Sequence, residues 1–317
     1  MPNWKDILGE VTNIKNGHLA ASNAAPDLVR RNYMQKLATH TGRTVISYYS
    51  GWLSKTQIPQ SDQSINDEDK NGFMMAVHQT DKSAGLDLIL HTPGGSMGAT
   101  ESIVFYLRQM YGKNIRAFVP QIAMSAGTMI ACSCKEIWMG KHSALGPIDP
   151  QLAGLPALGV KKEFERAYLE IKKEPHKLAV WEPILRKYHP TFLTQCENAV
   201  KWGEKFVEDQ LKDVMLFGKK NKAARARAIV KRLSDYDENK AHAKHIHFDE
   251  ARKAGLVVRL LEDDETLQDL ILTVHHCYMH TLQNTGAYKI IENHLGAAIV
   301  KKIAVQQVAT VQPIQQQ

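Results

Sequence analysis

Two glycine-centred turns carry the residue types that chemistry needs: His91-Thr92-Pro93-Gly94-Gly95 and Ala123-Met124-Ser125-Ala126-Gly127-Thr128. Each follows an apolar run, residues 86–91 and 115–120, of the kind that forms a buried strand. In α/β sheets, ligands bind in the crevices beyond such strand ends. A Ser at a strand-to-helix junction presents its hydroxyl outward, and the small neighbours Ala126 and Gly127 let a substrate backbone come close. The N–H groups opening the next helix, with the amides of Gly94 and Gly95, are suited to collect the negative oxygen of a tetrahedral intermediate. Ser125 is therefore a candidate nucleophile for acyl transfer.

Plainer readings stand beside this one. Ser is a favoured helix N-cap, which alone would place it at position 125. Gly94-Gly95 also suits any tight turn. A phosphate cradle is a further option, but no Lys-Ser or Lys-Thr follows the glycines as a Walker loop requires, so nucleotide binding falls away.

The elements that must hold these turns alternate along the chain. Residues 3–41 read as helical, with Ala25-Pro26-Asp27 as a start and Gly42 as a stop. Residues 43–49 form a first strand and 67–80 a first helix. Residues 86–91 and 99–111 repeat the step, with Ile103, Val104, Leu107 and Met110 on one helical face. A third strand at 115–120, a helix from about Ser125 and a strand at 136–140 follow. Repeated strand–helix alternation implies an α/β fold, a mostly parallel sheet with helices packed on it.

After Pro156 the pattern changes to long helices interrupted by Pro175, Pro183 and Pro190, continuing to about Arg232. The expected organisation is an N-terminal helical arm (1–42), a core (43–158 and 240–262), a helical insertion or lid (159–239), a C-terminal helical region (263–302) and a flexible tail (303–317).

Composition narrows the function classes. The 317 residues are 44% hydrophobic and 23% charged, ordinary for a globular chain and unlike collagen, coiled coil or disorder. The seven basic side chains of residues 219–232, with no acid among them, equal the whole net excess of +7. A solvated helix face explains them better than a nucleic-acid surface.

Four Cys, two of them in Cys132-Ser133-Cys134, make neither a disulfide framework nor a metal spacing, which points to a reducing, cytoplasmic setting. The opening Met-Pro-Asn-Trp-Lys-Asp lacks a signal peptide's apolar run. Residues 117–134 carry no charge, but Pro120, Gln121, Ser125, Gly127, Thr128 and Ser133 make the stretch too polar for a membrane span. His276 and His280 are four apart on one helical face, yet nothing completes a metal site around them, and no metal or other cofactor is expected. His242, His245 and His247 receive no role.

Taken in order, 86–95, 123–128 and Leu145-Gly146-Pro147-Ile148-Asp149-Pro150-Gln151-Leu152 resemble the serine dehydrogenase proteinase (SDH) family. That family belongs with signal peptide peptidase A and the Clp protease subunit in the ClpP/crotonase fold. Residues 248–257, Phe-Asp-Glu-Ala-Arg-Lys-Ala-Gly-Leu-Val, are similar to the segment by which that superfamily returns to its sheet. The resemblance implies an ATP-independent serine peptidase working through an acyl-enzyme on Ser125. The Gly95 and Ala126 amides would be oxyanion donors, with Gly94 shaping the turn.

It implies a homo-oligomer acting on peptides. It also implies a general base, which the motifs do not supply directly. Asp149 stands near the position of the Clp protease His and could orient a base, and His142 falls a little early. Relatives with a Ser-Lys dyad direct attention to Lys161, Lys162, Lys172 and Lys173, of which Lys162 is the expected base. Such a Lys must be buried beside Ser125, so that desolvation lowers its pKa. The rival readings are a scaffold that has lost the base and crotonase-like acyl-CoA chemistry.

Overall fold

A computed structural model describes residues 4–17, 24–235 and 242–303 of the chain. The tail expected beyond 303 and the boundary expected at 240 lie outside these residues.

In chain order the elements begin with α1 (Trp4–Gly17), α2 (Ala25–Thr41), β1 (Thr44–Ser50), α3 (Asp69–Val77), β2 (Leu86–His91), α4 (Met97–Tyr111) and β3 (Ile115–Val119). There follow β4 (Ile122–Ala123), α5 (Ala126–Cys132), β5 (Glu136–Met139), β6 (Ala144–Leu145), β7 (Gln151–Leu152) and β8 (Leu155–Pro156). The helical stretch holds α6 (Ala157–Lys173), α7 (Leu178–Leu185), α8 (Phe192–Gln210) and α9 (Lys222–Ser234). The chain closes with β9 (Ile246–His247), α10 (Phe248–Ala254), β10 (Val258–Leu260), α11 (Glu265–Asn284), β11 (Ala287–Asn293) and β12 (Ala298–Lys302).

Strand periodicity divides the apolar side chains between two cores. Ile46 and Tyr48, Leu86, Leu88 and Leu90, and Ala117 and Val119 face α3, α4 and α5. Val45 and Tyr49, Ile89, and Phe118 face α1, α2 and α11. Between the two helical layers lies a seven-stranded sheet in the order β10-β5-β3-β2-β1-β11-β12. The five strands from β10 to β1 are parallel, as the strand–helix alternation implied. Each step from β1 through β2 and β3 to β5 moves one place in the same direction. Right-handed crossovers therefore put α3, α4 and α5 on one face.

The last region differs from its sequence reading. Residues 263–302 are not helical throughout: α11 is followed by a hairpin whose β11 pairs antiparallel with β1. Lys289 and Glu292 interrupt the apolar character of β11. Both are buried against partners far away in the chain. Lys289 Nζ lies 3.0 Å from Asp69 Oδ1, and Glu292 receives Arg30 and Arg31 at 2.6 Å each. Within the expected N-terminal arm, α2 packs on α11 and helps to close the second core.

The helical stretch is built in two ways. Ala226, Ile229, Val230 and Leu233 of α9, with Phe206 and Val207 of α8, join the main core. Ala157, Val160, Cys196 and Val200 instead form a small core of their own between α6 and α8. The basic residues 219–232 lie on and just before α9, where Arg227 faces Glu208 at 3.8 Å. The uncharged run 117–134 divides into β3, β4 and α5, and among the described residues no helix is long and apolar enough to cross a membrane. All four cysteines are buried and unpaired.

Candidate active site

Ser125 joins β4 to α5 with φ 50° and ψ −112°. A side chain rarely occupies that region, and holding one there costs about 1–3 kcal/mol. The conformation also rules out the capping role: a capping Ser sits in the β region and accepts from the helix, whereas this hydroxyl makes no cap bond. The bend is clamped from below by Thr128. Its hydroxyl lies 2.9 Å from the Ala123 and Gly146 carbonyls and accepts the Gly146 N–H at 2.9 Å. One buried hydroxyl thus ties the Ser125 turn to the segment leading to Asp149.

The twin-glycine turn lies directly against this bend. A parallel bridge joins Thr92 to Ala123, with Met124 N–H donating to the Thr92 carbonyl at 3.0 Å. A Cβ on Gly94 would stand 2.7 Å from Ser125 Cβ, and one on Gly95 only 2.3 Å from the Ile65 carbonyl oxygen. Their positive φ values, 98° and 155°, further favour glycine. Ile65 braces the turn from outside, its N–H donating to the Gly94 carbonyl and its carbonyl accepting the Ser96 N–H, both at 2.8 Å. The Gly94 N–H is occupied by Thr92 Oγ1 at 3.1 Å. The Ala126 N–H is the first of α5 and has no acceptor within its own helix.

Ser125, Gly95 and Ala126 open onto a crevice of about 500 Å³. Its lining includes Ser64, Met97, Met129, Leu152, Trp202 and, from just beyond the helical stretch, His242. His242 Nδ1 lies 2.9 Å from Asp149 Oδ1, and Gln151 Nε2 donates to Asp149 Oδ2 at 2.9 Å. Asp149 is nearly fully buried, while the His242 side chain keeps 29% exposure. An ionised carboxylate only accepts, so Nδ1 carries the hydrogen and Nε2 remains as the basic nitrogen.

The other expected residues lie elsewhere. Lys162 is exposed on α6, against a separate depression with Gly159, Glu163 and Arg166, and does not line the crevice. Lys161, Lys172 and Lys173 are exposed as well, so none has the burial beside Ser125 that a Lys base demands. His142 turns its Nε2 to the Pro120 carbonyl at 2.8 Å. A larger depression of about 680 Å³ borders Phe217, Lys222 and Arg227 but has no Ser, Thr or Cys in its lining.

A family model described as a ClpP-like SDH-type serine proteinase matches residues 23–274. The chain belongs to that family. Two similar proteins come from Methanocaldococcus jannaschii. Uncharacterized protein MJ1495 is 33% identical over 149 residues, 47% of this chain and 46% of its own length. Uncharacterized protein MJ0137 is 28% identical over 227 residues, 72% of this chain and 70% of its own length. The chain thus spans about half of the first relative.

Within this family member, the sequence motifs led to Ser125 and the glycines but passed over His242. Its one sequence signal was weak: it is the first of a group with His245 and His247, just ahead of β9. Of the three, only His242 lines the crevice. His280 is buried with Nε2 against the Trp4 carbonyl at 2.8 Å, and no metal-binding group of His, Cys, Asp or Glu occurs among the described residues. His91, at the foot of the twin-glycine turn, is buried among Tyr49, Trp52 and His275. Burial pushes its pKa down to about 3, so the ring is neutral.

Proposed function

We propose that this family member hydrolyses peptide bonds with Ser125 as nucleophile, His242 as general base and Asp149 as the carboxylate that orients it. The observation that carries this reading is the Asp149–His242 pair opening onto the same crevice as a strained Ser. His242 replaces Lys162 as the base because it lines the crevice with Ser125 and Lys162 does not, and a base must work near the hydroxyl, directly or through one water.

In the first step, Ser125 Oγ forms a bond to the scissile carbonyl carbon while its proton passes to His242 Nε2. The carbonyl electron pair moves onto oxygen, where the Gly95 and Ala126 N–H groups receive it. Collapse breaks the C–N bond, and the proton held by His242 leaves with the amine. Water then attacks the acyl-enzyme by the same route and restores Ser125. Asp149 remains ionised throughout and holds the imidazole in its working tautomer. The substrate would lie extended beside Gly94 and Gly95, where main-chain bonds recognise any peptide.

Fluorophosphonate labelling tests the assignment. Wild type should be labelled at Ser125, Ser125→Ala should not be labelled, His242→Ala should lose nearly all labelling, and Lys162→Ala should keep it. Normal labelling of His242→Ala together with loss in Lys162→Ala would return the base to Lys162.

A further inference from the structure

The crevice wall opposite Ser125 comes from the helical stretch. Ala199, Trp202 and Gly203 of α8 line it, facing Met129, which stands one turn beyond Ser125 on α5. Gly203 lies within the 19-residue α8, where glycine weakens the helix, so its presence asks for a reason in packing. A Cβ at 203 would meet Met129 Cε at 3.5 Å and Pro150 Cγ at 3.7 Å. A methyl group therefore fits in ordinary contact, and a longer side chain must enter the crevice.

The wall is fixed in place. Trp202 Nε1 donates to Glu101 Oε2 at 3.0 Å, fastening α8 to α4, and the indole edge lies 3.7 Å from where a Cβ on Gly98 would be. Among the described lining residues there is no Asp, Glu, Lys or Arg, and His242 is the one titratable group. A charged substrate side chain entering here would lose water and meet only uncharged polar groups such as Gln60, Ser64, Ser96 and Gln151, with no carboxylate, Lys or Arg to pair with. An apolar one would gain contact with Met97, Met129, Leu152 and Trp202.

We infer that α8 makes this crevice selective for a neutral, apolar side chain on the residue whose carbonyl Ser125 attacks, with Gly203 setting how large that side chain can be. This rests on the peptidase reading above and adds the substrate class to it.

Peptidyl diphenyl phosphonates carrying Phe, Ala, Asp or Lys at the phosphonate position test it, since each forms a P–O bond to Ser125 and releases phenol. Wild type should react with the Phe probe at least about tenfold faster than with the Asp or Lys probe. Gly203→Leu should lower the Phe-to-Ala rate ratio by about tenfold. Gly203→Ala, whose methyl meets ordinary contacts, should lower it less and serves if the Leu variant does not fold. Equal rates for Phe, Asp and Lys, or a ratio unmoved in the Gly203 variants, overturns the inference. Labelling by a small fluorophosphonate but by no peptidyl probe overturns the inference alone. Labelling by neither overturns the peptidase reading beneath it.

Discussion

His242 Nδ1 lies 2.9 Å from Asp149 Oδ1, although 93 positions separate the two residues. Asp149 follows the turn that Thr128 ties to the Ser125 bend, while His242 enters four residues ahead of β9, which pairs with β6. The helical stretch between them is thus pinned at both ends to the segments that carry the candidate chemistry. That arrangement explains how the helical stretch can be long without loosening the site.

If Asp149 orients His242, Asn at that position should leave the fold intact but favour the wrong imidazole tautomer. Asp149→Asn should lower the acylation rate of Ser125 by about 10³–10⁴-fold, measured by fluorophosphonate labelling against time. A rate within tenfold of wild type would show that Asp149 only holds its turn.

Gly95→Ala meets backbone rather than a movable side chain, with the new methyl 2.3 Å from the Ile65 carbonyl oxygen at φ 155°. Relief requires the turn to shift off Ile65, which displaces the Gly95 N–H from its place beside Ser125. The variant should lose about 1–3 kcal/mol of stability by urea unfolding and most of its labelling. Retention of both would mean that the turn has more freedom than these contacts allow.

Lys289 links β11 to the segment that braces the twin-glycine turn. Its Nζ donates to the Ser64 carbonyl at 2.7 Å and pairs with buried Asp69, next to Ile65, whose bridge braces Gly95. Lys289→Met strands the Asp69 charge and should cost about 3–5 kcal/mol in urea unfolding. Adding Asp69→Leu should recover part of that loss, because no lone charge then remains buried. A double variant less stable than Lys289→Met would contradict the account.

His91 makes stability depend on acid. The folded ring has its pKa lowered by burial to about 3, whereas an unfolded His titrates near 6.5. Above roughly 6.5 neither state is protonated and the residue carries no penalty. As pH falls below that, the unfolded chain gains a proton that the folded one refuses, so stability declines until the folded ring titrates near 3. At pH 4.5 the penalty is roughly 2–3 kcal/mol. His275 is pushed in the same direction by burial, helped by His91, His276 and His142. His91→Phe should therefore narrow the gap between urea midpoints at pH 7 and pH 4.5, and an unchanged gap would remove His91 as the cause.

The local grammar was legible in the amino-acid order. Short apolar runs ending in Pro-Gly-Gly and Met-Ser-Ala-Gly announced strands, sharp turns and an exposed Ser, because a few adjacent residues dictate each of those conformations. Residues 86–91 form β2 with the bounds their pattern implied, and the parallel sheet follows from strand–helix alternation. Charged positions were harder to read. Lys289 and Glu292 are buried, and only partners more than two hundred positions away make that burial tolerable.

The proposed base was likewise hidden. His242, His245 and His247 share a polar setting along the chain, and side-chain type alone cannot say which of them meets a carboxylate. Packing of β9 against β6 and of α9 against the core makes that choice. Turn geometry is written within a handful of neighbouring residues, whereas a proton path is assembled by contacts that exist only once distant segments have docked.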